Sequence, residues 1–177
     1  MDLPIRKKGR IQTERLVLKP YGPQDLKPLT GLLTNPEITK TFLVPDFERP
    51  EQAEALARRV MGYSQAEDIH HLEYGIYLDG RLIGFVNDCG IEQDSIEIGY
   101  AIHPDFWGQG YASEALGSVL EQLREMGFRK VTAAFFEENA ASRRVMEKCG
   151  MALTRRTHQE EYRGEMHICR YCEIVFP

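Results

Sequence analysis

Two glycines, Gly108 and Gly110, stand one residue apart between a predicted strand and a predicted helix. A glycine loop in that position directs backbone N–H groups at an anion, and the positive end of the helix dipole favours negative charge there. Residues 103–117 are therefore predicted to include a loop that binds a phosphate or pyrophosphate group.

A dinucleotide is one ligand that carries such a group, because the loop approaches the G-x-G-x-x-G fingerprint, with Glu137 or Glu138 as a partner for the ribose. Three observations weigh against it. The third glycine position holds Ser113, the unit is not the first in the chain, and no further strand–helix–strand repeats follow it. An NAD(P)-dependent oxidoreductase is therefore the less favoured alternative.

The strand predicted before the loop, at residues 95–103, directs its side chains to two different faces. One face is apolar and is expected to join the core: Ile96, Ile98, Tyr100 and Ile102. The other face carries Glu97 and two small residues, Gly99 and Ala101. The small residues leave room for a ligand beside the strand, next to a carboxylate.

The composition fits one globular domain over residues 1–177, with a flexible tail at 1–10, because 42% of the 177 residues are hydrophobic. A net charge of −5 gives no basic field for nucleic-acid binding. The absence of a signal peptide and of a long apolar run predicts a soluble, cytoplasmic protein that does not bind membranes. No metal is expected, because no cluster has ligand spacing, and all four cysteines are expected to be reduced.

The elements that position the loop follow from hydrophobic period and turn residues. They predict an α+β fold, with a mostly antiparallel sheet, one strand–helix–strand crossover and flanking helices. The predicted elements are a strand at Thr13–Tyr21, helices opened by Pro23 and Pro50, and a three-strand meander from Glu73 with a turn at Asp79-Gly80. Beyond the loop they are a helix ending at Gly127, a strand at 130–136, a short helix capped by Asn139, and a hairpin turning at Arg163-Gly164.

Three segments together resemble the GNAT superfamily of acetyl-CoA-dependent N-acetyltransferases, and more closely its RimJ/RimL-like branch of ribosomal-protein alanine N-acetyltransferases. The segments are TERLVLKPY (13–21), EIGYAIHPDFWGQGYASEAL (97–116) and NAASRRVMEKCGM (139–151). Their order and spacing match the family over nearly the whole chain. The resemblance implies a GNAT fold, acetyl-CoA as co-substrate, and transfer of an acetyl group to a primary amine by direct attack.

The resemblance also implies which residues hold coenzyme A. The family's loop pattern, which would hold the pyrophosphate, falls on Trp107, Gly108, Gln109, Gly110, Tyr111 and Ala112, and Trp107 departs from the Arg or Gln of the general pattern. The pantetheine arm would lie along Tyr100, Ala101 and Ile102. Asn139 would form hydrogen bonds with the amides of the pantetheine arm, or would only cap a helix. Arg144, together with Arg143 and Lys148, would bind the 3′-phosphate of coenzyme A, or would remain solvated.

Acetyl transfer to an amine needs a base and an acid for the leaving thiolate. Glu97 is the preferred base, and Glu137 and Glu138 are reserve candidates. The alternative for Glu97 is a solvated glutamate or one paired with Arg81. Ser142 is the candidate acid, or a small residue that packs in the first helical turn. The family often places a tyrosine where this chain has Met146, which also allows a non-catalytic acyl-CoA-binding module.

The acceptor is left open between a protein N-terminus and a small-molecule amine. Asp46, Glu160 and Glu161 are acidic side chains that would attract a cationic amine or stay solvated. Trp107 is expected to pack the loop against the sheet, with the wall of the acceptor site as the alternative. The sequence is compatible with a monomer or a homodimer.

Overall fold

The computed structural model describes Ile5 and residues 9–177. The tail predicted at residues 1–10 thus lies mostly outside the described residues. The strands are β1 (Ile11–Gln12), β2 (Leu16–Lys19), β3 (Glu73–Leu78), β4 (Arg81–Glu92), β5 (Ser95–Ile102), β6 (Lys130–Phe136), β7 (Ala152–Tyr162) and β8 (Glu165–Val175). The helices are α1 (Leu26–Thr34), α2 (Pro36–Thr39), α3 (Pro50–Gln65), α4 (Tyr111–Met126) and α5 (Ala140–Lys148).

The eight strands of the described chain form one sheet in the order β1-β2-β3-β4-β5-β6-β8-β7. Only β5 and β6 pair in parallel, and α4 makes the crossover between them. The predicted mixed fold, mostly antiparallel with one crossover, is therefore confirmed. In the described residues, no helix is both long enough and apolar enough to cross a membrane.

Two cores cover the two faces of the sheet. On one face, α4 buries Leu116, Val119 and Leu123 against the sheet. On the other, α1 and α3 pack against the first strands through residues such as Leu29 and Ala57. Helices thus cover much of both faces of the sheet. A ligand site on the sheet is expected where these helices leave part of a face uncovered.

One local prediction was wrong. The strand predicted from Thr13 begins only at Leu16, because the Thr13 hydroxyl and amide bond with Leu16 in a turn that leads from β1 to β2. The first helix, α1, ends at Thr34, just before Asn35 and Pro36, and Pro36 then opens α2, a short helix that was not predicted. The Asn35 side chain accepts from the amides of the first turn, and proline suits that first position.

A wedge opens in the middle of the sheet between β5 and β6. The two strands pair only as far as Glu97 and Thr132, whereas β6 continues to pair with β8 as far as Phe136. At the same level, β4 carries a bulge at Cys89, and a bulge bends and twists its strand. β5 therefore diverges from β6 just beyond Glu97, and its remaining backbone faces an open space.

Candidate active site

A cleft of about 900 Å³ occupies the wedge. Its floor includes Asn87, Cys89, Glu97 and Gly99, which share one face of β4 and β5 because Asn87 pairs with Gly99. The loop before α4 and the start of α5 form one end of the cleft. The segment after α2 and the β7–β8 hairpin form the other end.

The glycine loop presents free backbone N–H groups to the cleft. Gly108 and Gly110 have φ values of +75° and +83°, a left-handed backbone that glycine adopts at no steric cost. Gly110 caps α4, whose first turn has no internal acceptors for its amides. Within the described chain, the N–H groups of residues 108–113 make no hydrogen bond. The geometry suits a pyrophosphate.

Arg15 anchors this loop from the N-terminal hairpin, a role that the sequence analysis missed. Its guanidinium donates to the Glu114 carboxylate at 2.7 Å and to the Gln109 carbonyl at 3.0 Å, and it lies 4.3 Å from the centre of the Tyr111 ring. Thr13 donates to Glu114 at 2.6 Å. Burial alone would raise the pKa of Glu114, but the bonds from Thr13 and Arg15 lower it.

Trp107 only partly follows its predicted role. Its indole N–H donates to the Ile102 carbonyl at 2.6 Å and so ties the loop to β5. The ring itself is 51% exposed at the cleft wall instead of packing against the sheet.

The predicted coenzyme A residues converge on one end of the cleft. Those that line it are Tyr100, Ala101, Ile102, Trp107, Gly108, Gly110, Tyr111, Ala112, Asn139, Ser142 and Arg144. Gln109 instead lines a smaller adjoining pocket with Arg15 and Lys148. Lys148 lines both pockets, whereas Arg143 is paired with Glu147 at 2.8 Å. Of the three cations predicted to meet a 3′-phosphate, Arg144 and Lys148 therefore line the cleft.

At the start of α5, the Ser142 hydroxyl contacts the hydroxyl of Tyr100 from β5. Asn139 accepts the Ser142 amide at 3.2 Å, so it caps α5, as expected. The Ser142 hydroxyl lies 3.2 Å from the Tyr100 hydroxyl. Burial raises the pKa of Tyr100, more than the bond to Ser142 lowers it, so its hydroxyl keeps its proton. Met146 is buried below this pair, 1% exposed.

Glu97 lies half-buried on the cleft floor, where it makes no hydrogen bond or ion pair with any described residue. The suggested ion pair with Arg81 does not form, because Arg81 lies over the Phe106 ring at 5.2 Å. The reserve carboxylates are engaged elsewhere: Glu137 pairs with Arg170 at 3.0 Å, and Glu138 pairs with His167. Glu97 is therefore a free carboxylate facing the cleft.

The far end of the cleft is formed by residues from segments 34–47 and 158–167. Phe42 and Leu43 line it from the segment after α2. The hairpin tip holds that segment in place, because the Tyr162 hydroxyl donates to the Thr39 carbonyl at 2.7 Å. Arg163 pairs with Asp46 at 3.1 Å, so Asp46 is engaged in a structural ion pair. Of the three acidic candidates for the acceptor, only Glu160 lines the cleft.

Two cysteines, Cys89 and Cys169, line the cleft, although no sequence motif placed them there. Cys89 is an exposed residue, but desolvation of its thiol on the cleft floor raises the thiol's pKa to about 12, with further contributions from Glu97 and Asp88. A thiol that remains protonated near neutral pH is a weak nucleophile. Among the described residues, no group of three or more His, Cys, Asp or Glu side chains could hold a metal ion.

The fold and the cleft together define an acyl-CoA-dependent acyltransferase. The family model described as an acetyltransferase (GNAT) domain matches residues 15–152. The chain therefore belongs to the GNAT acetyltransferase family and is an N-acetyltransferase, which confirms the resemblance seen in the sequence. Family membership also removes the dinucleotide-dependent alternative.

Relatives and solved structures agree with this family. The uncharacterized N-acetyltransferase YnaD of Bacillus subtilis is 40% identical over 142 residues, 80% of this chain and 81% of its own. YoaA, an uncharacterized N-acetyltransferase of the same organism, is 28% identical over 79% of this chain and 81% of its own. A RimL ribosomal-protein acetyltransferase solved with coenzyme A superposes with a TM-score of 0.82 at 20% identity, over 94% of this chain and 97% of that one.

Proposed function

We propose that the protein transfers the acetyl group of acetyl-CoA to a primary amine bound in the cleft, with Glu97 as the base. The observation that carries this proposal is the position of Glu97, a half-buried carboxylate free of partners at the point where β5 and β6 separate. The amine must be neutral to attack a thioester, so a carboxylate beside the reacting groups has a defined task.

Acetyl-CoA supplies the acetyl thioester, and residues of this chain suit its parts. The free amides of residues 108–112 match a pyrophosphate at the start of α4. Arg144 and Lys148 supply positive charge for the 3′-phosphate. The unpaired edge of β5 beyond Glu97 offers main-chain groups to an arm that carries amides. Coenzyme A in the RimL structure supports this assignment.

Three hydroxyl and carboxyl groups handle the protons of the transfer. Glu97 accepts a proton from the amine as the amine attacks the acetyl carbon. Ser142 donates toward the leaving sulfur, and Tyr100 holds the Ser142 hydroxyl in place from 3.2 Å. Cys89 takes no covalent part, since its pKa of about 12 keeps it a thiol. Acetyl transfer is therefore direct.

The acceptor is a primary amine of a peptide N-terminus or of a small molecule. Three carboxylates, Glu37, Glu97 and Glu160, line the cleft, and Glu37 is paired with Lys40. Glu97 and Glu160 favour a ligand that arrives as an ammonium ion. The aromatic and aliphatic side chains of Phe42 and Leu43 favour an apolar group next to that amine.

Glu97→Gln tests the proposal, because the amide keeps the shape of the side chain but cannot accept a proton. We expect kcat to fall by about 10²- to 10⁴-fold, the usual contribution of a general base, while acetyl-CoA still raises the melting temperature. Glu92→Gln, an exposed change on the same hairpin, is the matched control and should leave kcat unchanged. A Glu97→Gln enzyme with full activity would remove Glu97 from the mechanism.

A further inference from the structure

Three side chains of the β7–β8 hairpin form a hydrogen-bonded chain along the cleft wall. The Tyr171 hydroxyl lies 2.8 Å from Nδ1 of His158, and Nε2 of His158 lies 3.1 Å from a carboxylate oxygen of Glu160. All three residues line the cleft. The arrangement links a hydroxyl, an imidazole and a carboxylate in sequence.

The environment of Tyr171 fixes the direction of these bonds. Burial raises the pKa of Tyr171, although Arg156, whose guanidinium lies 3.9 Å from the ring centre, lowers it. Glu97 and Glu160 are among the groups that raise it further. The hydroxyl therefore keeps its proton and donates to Nδ1 of His158, which leaves the Nε2–H to donate to Glu160.

The three hydrogen-bonded side chains also lead from the buried side of the cleft to solvent. Tyr171 is 3% exposed, whereas the side chains of His158 and Glu160 are 42% and 38% exposed. A proton received at the Tyr171 hydroxyl can thus reach water through His158 without crossing the apolar core. Two charged groups lie near these three side chains: Arg156 lies on the Tyr171 ring, and Glu97 lies across the cleft floor.

The chemistry of the reaction calls for two proton-accepting groups. An acceptor that arrives as an ammonium ion must lose two protons to become an amide, and the leaving thiolate takes up only one of them. Glu97 can take the proton lost during attack. The first proton, which must leave before the nitrogen lone pair is free, needs a separate route to water.

We propose that Tyr171 and His158 form this route. It rests on the proposed function, since it serves an amine acceptor. The ammonium N–H transfers its proton to the Tyr171 oxygen as the Tyr171 O–H proton moves to Nδ1 of His158, and the nitrogen keeps its lone pair. Glu160 stabilises the resulting imidazolium, which releases its Nε2 proton to water. Proton exchange between water and the exposed His158 ring then moves the remaining proton from Nδ1 back to Nε2. No oxidation or reduction occurs, and the three side chains return to their starting state.

His158→Ala with added imidazole tests the relay, because His158 is exposed enough for free imidazole to replace it. At pH 7 we expect kcat/KM for amine acetylation to fall at least 10-fold, and tens of millimolar imidazole to restore most of the loss. His70→Ala, at an 84% exposed side chain remote from the cleft, should match the wild type with and without imidazole. Reactions without enzyme correct for direct acetylation of imidazole.

Two further variants separate proton transfer from a structural role. His158→Gln keeps a polar side chain at the position but cannot pass on a proton, so it should be as slow as His158→Ala. Tyr171→Phe should be slow and insensitive to imidazole. Wild-type rates in His158→Gln, or a loss in His158→Ala that imidazole does not reverse, would overturn the relay. If the wild type acetylates no amine at all, the proposed function fails instead.

Discussion

Gly108→Ala separates backbone strain in the glycine loop from the loop's function in binding. Gly108 has φ +75°, and a Cβ placed there would meet no atom within 4 Å. Gly80, in the β3–β4 turn, has φ +80° and is equally unobstructed. A left-handed non-glycine residue costs roughly 1–2 kcal/mol, so each alanine should lower the melting temperature by about 2–8 °C. Gly80→Ala is therefore a control matched for strain.

The two variants should differ in acetyl-CoA affinity. If the alanine at position 108 shifts the loop so that one amide no longer reaches the pyrophosphate, the loss is that of a hydrogen bond to a charged group, about 1.5–3 kcal/mol. That loss corresponds to a dissociation constant roughly 10- to 150-fold higher. Gly80→Ala should bind acetyl-CoA as the wild type does.

The fluorescence of Trp107 provides the assay. It is the chain's only tryptophan, and it lines the cleft with 51% of its surface exposed. Titration with acetyl-CoA should change its emission and give the dissociation constant for each variant. Equal affinities for Gly108→Ala and Gly80→Ala would refute the assignment of the pyrophosphate to this loop.

Two further predictions concern groups with shifted pKa values. The lowered pKa of Glu114 means that its bonds stabilise the fold above the ordinary value of 4.5 and lose that effect as the pH falls through the lower folded value. Glu114→Gln should therefore lower the melting temperature by about 2–4 °C at pH 7 and by less as the pH falls below 4.5, and a difference independent of pH would contradict this. The pKa of the Cys89 thiol is raised above the ordinary 9.0. Cys89 should therefore react with iodoacetamide at pH 8 more slowly than a thiol of ordinary pKa, and Cys89→Ser should retain acetyl transfer; fast labelling or loss of transfer would contradict a spectator role.

The parts of the fold that follow from local chemistry were predictable from the sequence. Asp79 and Gly80 both adopt positive φ in the turn between β3 and β4, as the dipeptide predicts. Cys169 and Cys172, three positions apart in β8, pack into different clusters, as the alternation of side chains along a strand requires. The spacing of hydrophobic residues, turn residues and helix caps each depend on only a few neighbouring residues, so they can be recognised in the sequence.

The rest of the site depends on contacts between distant parts of the chain. Arg15 meets Glu114 across 99 positions, and the register of β4 and β5 brings Asn87 and Cys89 to the cleft floor. Gly90 follows the bulge at Cys89 and is the kind of residue that indicates a bulge, but it does not indicate that β5 and β6 separate at the same level. His158 and Tyr171 meet only because β7 and β8 pair as they do. Sequence periodicity shows that such strands exist, but their register depends on packing of the whole sheet.

Amine-dependent release of coenzyme A tests the central claim most directly. The wild-type protein would be incubated with acetyl-CoA and a panel of peptide N-termini and small primary amines, with the free thiol measured by a colorimetric reagent and the products by mass spectrometry. We expect thiol release only in the presence of an amine, with equal amounts of thiol and of acetylated amine. If acetyl-CoA raises the melting temperature but no amine in the panel is acetylated, the protein is a binding module and the proposed transfer is wrong.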